Sequence, residues 1–123
     1  MPKYYLTRCE LEVMNVVWDR ERATVQDVCD GLERDLAYTT VMTTLKVLEE
    51  KRKVLRKTKQ GRAYVYEPVV SREDVGRSVT ADLKERLFGG SAKSLVLSLM
   101  EDEDLSPADI DELKSAIASL EKR

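Results

Sequence analysis

The chain has 123 residues, 42% hydrophobic and 36% charged, with 21 Lys and Arg against 23 Asp and Glu. That length suits one domain, or a compact domain with a small appendage, and no apolar run approaches the roughly 20 residues that span a bilayer. With no histidine and two cysteines, Cys9 and Cys29, it cannot assemble four Cys/His zinc ligands, a Ser-His-Asp triad or a Cys-His pair.

The N-terminal stretch MPKYYLTRCE lacks the apolar core of a signal peptide, which points to a cytoplasmic protein without membrane insertion. In that compartment the two thiols stay reduced and serve as small buried hydrophobes. No cofactor and no metal are expected.

The first helix starts at Leu6-Thr7-Arg8-Cys9-Glu10-Leu11. Thr7 caps the amide of Glu10, Glu10 reaches back, and Leu6 staples onto Leu11. Leu11, Met14, Val17 and Trp18 form one apolar face, which breaks at Asp19-Arg20-Glu21-Arg22. A second helix opens at once, with Thr24 as its cap and Asp27 at the third position. Val25, Val28, Cys29 and Leu32 are its buried stripe, and Gly31 weakens its end. Residues 33–37 lead to a third periodic run with Val41, Leu45 and Leu48 inward. Its outward face reads Thr39, Thr40, Met42, Thr43, Lys46 and Val47. Threonines lower helix propensity, so a face this rich in them suggests short hydroxyls placed against another polymer.

From Val54 the period changes to two. Residues 54–58 and 63–66 read as strands joined by the glycine-bearing turn Lys59-Gln60-Gly61-Arg62, and Pro68 ends the second strand. Three short helices followed by a hairpin is the order of a winged helix. Beyond it the chain is helical. Ser71-x-x-Asp74 caps a helix with Val75, Val79, Leu83 and Leu87 on one face, stopped by Gly89-Gly90. Ser91 opens a short helix whose core runs from Leu95 to Met100. The acidic run Glu101-Asp102-Glu103-Asp104 follows, and then Leu105-Ser106-Pro107 starts a last helix striped by Ile110, Leu113, Ile117 and Leu120.

The charge is uneven. Residues 46–62 carry eight basic side chains and two acidic ones, although the whole chain is net −2. Duplex DNA binds basic surfaces largely through counterion release, so this local excess outweighs the overall sign. Placed on a winged helix, Lys57, Lys59 and Arg62 at the hairpin tip lie beside a phosphate backbone while the third helix enters the major groove. Tyr64 and Tyr66 face inward or brace the strand.

Several segments also resemble the penicillinase-repressor family of bacterial winged-helix regulators, the BlaI and MecI type. Leu11-Glu12-Val13-Met14-Asn15-Val16-Val17-Trp18 is similar to that family's first helix, and residues 61–68, GRAYVYEP, to its wing. Phe88-Gly89-Gly90-Ser91, then Ser94-Leu95-Val96-Leu97 and Glu103-Asp104-Leu105-Ser106, are the most specific matches. The resemblance implies a homodimeric repressor on a two-fold operator of double-stranded DNA. Its groove-reading helix maps onto Tyr38 through Leu48. Some members carry basic residues where this chain has Thr39, Met42 and Val47, which implies a different operator. Copper-sensing relatives carry a C-terminal cysteine cluster that this chain lacks. β-Lactam-responsive members answer to a membrane sensor-protease system and are cut, typically at Asn-Phe, within the equivalent of Leu97 to Met100. The pair here is Ser98-Leu99.

The reading is therefore a mainly α protein with a small β-hairpin. A winged helix-turn-helix over 1–70 reads DNA through Tyr38, Thr39, Thr40, Met42, Thr43 and Lys46, with Lys57, Lys59 and Arg62 on phosphates. A three-helix dimerisation domain over 71–123 pairs through Val75, Val79, Leu83, Leu87, Leu95, Leu99, Ile110, Leu113, Ile117 and Leu120. Two rivals remain: a dimeric winged-helix module that binds protein or RNA, and an enzyme holding a divalent metal on residues 101–104. The second lacks both the glycine that bends an EF-hand loop and a nearby base or nucleophile.

Overall fold

The computed structural model of the protein describes residues 4–123; residues 1–3, the start of the stretch read for a leader peptide, lie outside the described residues. The chain divides into two compact units, 1–82 and 83–123.

In the first unit, α1 (Arg8–Arg20), α2 (Val25–Gly31) and α3 (Tyr38–Glu50) precede a hairpin of β1 (Leu55–Gln60) and β2 (Ala63–Pro68). The helix starts follow their capping chemistry. The Glu10 amide donates to Thr7 Oγ1 at 3.2 Å while the Thr7 amide donates to Glu10 Oε1 at 2.9 Å. Thr24 and Asp27 repeat the reciprocal pair at 3.0 and 3.1 Å. Gly31 closes α2 against α1, where an added Cβ would lie 2.6 Å from Val16 Cγ1. Its role is close approach rather than only a weak helix end.

Val13, Met14 and Val17 of α1, Val28 of α2, and Val41, Leu45 and Leu48 of α3 are wholly buried together with Val54. Each fully buried aliphatic side chain contributes about 1.5–3 kcal/mol, so this cluster organises the unit. The hairpin pairs Leu55 with Pro68 at its base and Gln60 with Ala63 at its tip. Its turn is therefore the two residues Gly61-Arg62, with Gly61 at φ 63°, where a side chain would be strained. Lys59, read as part of the turn, belongs to β1. A third short piece of sheet joins them: Ala23 and Tyr66 exchange backbone hydrogen bonds at 3.0 and 2.8 Å. This bridge ties the α1–α2 connection to the wing.

α4 (Arg72–Phe88) starts in the first unit and its last turns fall in the second. Val75 is buried in the core of the winged helix, so it is unavailable to the exposed stripe with which its spacing groups it. Helical period shows that a face is apolar without showing what covers it.

The second unit holds the end of α4, α5 (Ala92–Glu101) and α6 (Pro107–Glu121). Ser91 caps α5 and Ser106 caps α6, the latter reciprocally with Asp109 and with Pro107 in its first turn. Leu95 is buried here, whereas no residue of α6 is. No helix among the described residues is long and apolar enough to cross a membrane.

Candidate nucleic-acid interface

α3 presents two faces of opposite character. Val41, Leu45 and Leu48 are wholly buried, while Tyr38, Thr39, Thr40, Met42, Thr43 and Lys46 are exposed and Val47 is half-buried. No side chain caps its start at Ala37, so the first-turn amides are left for water or for an anion. The Thr43 hydroxyl donates to the Thr39 carbonyl at 2.9 Å, and that of Thr44 to Thr40 at 2.7 Å. Back-bonding of this kind lets threonines sit inside a helix. It also commits the Thr43 proton, leaving an acceptor oxygen and a methyl to the outside.

Facing this helix, the wing completes a groove of about 750 Å³, whose lining includes Tyr38, Met42, Thr43, Lys46, Lys57 and Arg62. Thr39, Thr40 and Lys59 do not line it, although all three are exposed. Tyr64 and the start of α2 (Thr24, Val25 and Gln26) line it as well. Nothing in their sequence spacing announces that role, because α2 reaches the groove only through its packing on α3. Tyr66 is buried, and burial raises its phenol above the usual range, whereas Tyr64 is exposed.

The cations divide into engaged and free. Arg52 pairs with Glu10, Arg56 with Glu67, and Lys57 with Glu49 at 3.6 Å. Lys57 stands opposite Tyr66 in mid-strand rather than at the tip, and its Nζ lies 4.6 Å from the Tyr64 ring centroid. Among the described residues Lys46, Lys51, Lys53, Lys59 and Arg62 have no carboxylate within pairing distance. Positive charge is thus left uncompensated on α3, on the α3–β1 connection and on the wing.

Two carboxylates steady the scaffold behind the groove. Arg34 donates to both Glu12 oxygens at 3.0 and 2.8 Å, which holds that carboxyl below its usual value. The Thr24 amide and hydroxyl, with Arg20 nearby, do the same for Asp27.

Away from the groove, the described residues contain no group of three or more His, Cys, Asp or Glu placed to hold a metal. Ser98 and Leu99 sit inside α5, with Ser98 half-buried and Leu99 exposed. Val79, Leu83 and Leu87 of α4, and Ile110, Leu113, Ile117 and Leu120 of α6, are all exposed in the single chain.

The penicillinase repressor family model matches residues 6–119, almost the whole chain. The chain belongs to the penicillinase-repressor family. Its relatives include the transcriptional regulator BlaI of Mycobacterium tuberculosis (strain CDC 1551 / Oshkosh), 37% identical over 116 residues, covering 91% of this chain and 82% of that one. The penicillinase repressor of Bacillus licheniformis is 30% identical over 110 residues, covering 88% and 85%. Among solved structures, that of the DNA-binding domain of the repressor BlaI is 31% identical with a TM-score of 0.50, covering 56% of this chain and 85% of that one. As a member of a family of repressors, the chain carries no enzymatic role, and the metal-enzyme rival falls away.

Proposed function

We propose that this penicillinase-repressor family member, a DNA-binding transcriptional repressor, acts as a homodimer on a two-fold operator. The observation that carries the reading is the uncompensated charge of Lys46, Lys59 and Arg62 around the exposed, threonine-rich face of α3. α3 enters the major groove, with Tyr38, Thr39, Thr40, Met42 and Thr43 toward base edges and Lys46 near them. Lys59 and Arg62 meet phosphates on the flank. Lys57 braces the wing, because Glu49 and Tyr64 already engage it.

The second unit supplies the pairing. So small a unit keeps too much surface to bury the stripes of α5 and α6 alone. A second copy covers them and sets two reading helices about 34 Å, one DNA turn, apart. Regulation acts on the same unit. Cutting at Ser98-Leu99 detaches α6 and dissolves the pair, and because the bond lies in a helix, α5 must open before a protease can take it. A membrane sensor-protease system is the kind of partner that would make such a cut. Since the operator is cytoplasmic, the protein belongs there too.

Selection of binding sites from random duplexes by the intact chain, with RNA as competitor, tests the reading. Paired, inverted half-sites that RNA fails to displace are expected. Displacement by RNA, or no enrichment of any duplex, would favour the RNA- or protein-binding alternative.

A further inference from the structure

We propose that Tyr64 of the wing is a DNA-contacting residue, whose phenol donates a hydrogen bond to a phosphate of the strand passing between β2 and α3. The inference rests on the duplex-binding reading of that groove and involves the first unit alone.

Strand pairing sets Tyr64 opposite Lys59 and Tyr66 opposite Lys57. Opposed residues of an antiparallel pair share a face, as do alternate residues along each strand, so all four side chains stand on one side of the hairpin. That side is turned to α3, because Lys57 reaches Glu49 at 3.6 Å. Toward the base of the wing Tyr66 is only 5% exposed, whereas Tyr64, nearer the tip, is 46% exposed and lines the groove. One face thus carries a core tyrosine and a tyrosine presented to a partner.

The presented ring is already held. Lys57 Nζ, paired with Glu49, lies 4.6 Å from its centroid. A phenylalanine ring would accept that ammonium as well, so bracing the wing leaves the hydroxyl without a task. No protein group among the described residues hydrogen-bonds it. The phenol is therefore a neutral donor whose reach is set before any ligand arrives.

Around it the groove mixes charge with apolar surface. Lys46, Lys57 and Arg62 set three cations against the carboxylate of Glu50, and Val25, Met42 and Ala63 add apolar area. A sugar–phosphate strand offers the matching mixture, anionic oxygens between apolar sugar faces. Base edges would instead call for donors and acceptors side by side, as Asn, Gln or Arg supplies them, and β2 brings none of these to the groove. A neutral donor on phosphate also differs from a cation there. It adds affinity on every sequence, yet it neutralises no charge and so releases no counterion.

The test titrates the duplex returned by selection, and a shuffled duplex, with the intact chain and its Tyr64→Phe variant over a range of salt concentrations. Tyr64→Phe keeps the ring and the Lys57 contact and removes only the hydroxyl. It should weaken binding to both duplexes by about tenfold, with an unchanged salt slope and an unchanged urea midpoint. Binding within about twofold of the unaltered chain overturns the assignment. A loss confined to the selected duplex also overturns it, since the hydroxyl would then touch a base. So does a lowered urea midpoint, since the hydroxyl would then serve the fold. Lys59→Ala and Arg62→Ala are measured alongside. If they lower the salt slope while Tyr64→Phe binds normally, this assignment alone falls; if they leave the slope unchanged, the wing does not meet DNA and the groove reading falls with it.

Discussion

Arg52 Nε donates to both carboxylate oxygens of Glu10, at 3.1 and 3.3 Å, and so joins the connection that follows α3 to the first turn of α1. Glu10 is buried and also accepts the Thr7 amide in its capping box. A buried carboxylate left without its cation keeps its desolvation cost. Arg52→Ala should therefore lower unfolding stability by about 1–3 kcal/mol in urea titrations. It should leave the salt dependence of DNA binding unchanged, because Arg52 has no charge to spare for phosphate. A steeply altered salt slope with normal stability would place Arg52 at the interface instead.

Lys59 and Arg62 have the opposite standing, exposed and unpaired. Replacing either with alanine should weaken all duplexes similarly and reduce the salt slope by about one unit. Lys57→Ala should change the slope much less, since Glu49 already neutralises that ammonium. Equal effects from all three would mean that Lys57 leaves Glu49 for the backbone on binding.

At Thr43 the committed proton makes a sharper test possible. Thr43→Ala should cost about 1–2 kcal/mol on the selected sequence and blur its preference. Thr43→Val keeps the methyl and removes the outward acceptor. Recovery with valine assigns a thymine-methyl contact, and no recovery assigns a base amino group as the donor. A uniform loss across all sequences would move base reading away from this face.

Much of this is legible in the sequence itself. Reciprocal caps at Thr7/Glu10, Thr24/Asp27 and Ser106/Asp109 use residues three apart, so the chain spells them locally. The inward stripe of α3 and the glycine turn of the wing are equally local. What escaped depends on distant partners. Glu10 and Arg52 lie more than forty residues apart, and in sequence Arg52 looks like an ordinary solvated charge. The Ala23–Tyr66 bridge is a single pair, too short to leave a period. Val75 shares its spacing with an exposed stripe, and only the tertiary packing shows that the winged helix covers it.

Stability should fall on the acid side. The carboxyls of Glu12 and Asp27 are held below their usual values by Arg34 and Thr24 respectively. Groups depressed in the folded state contribute fully above their unfolded values, about 3.9 for Asp and 4.3 for Glu, and lose that contribution as pH drops through the folded ones. Thermal midpoints should be flat across neutral pH from these groups and decline below about pH 4. In Asp27→Asn that decline should be shallower. An identical acid profile in the variant would remove Asp27 from the account.

The central claim is that the second unit converts two weak DNA contacts into one strong one. Its most direct test is a side-by-side titration of one paired duplex with the intact chain and with a fragment ending at Asp82. That end keeps the first unit whole, including Val75, which is buried in its core. The intact chain should bind as two copies, about 100-fold or more tighter than the fragment, which should add one copy at a time. A fragment that binds as tightly as the intact chain, or an intact chain that binds as a single copy, would contradict the account.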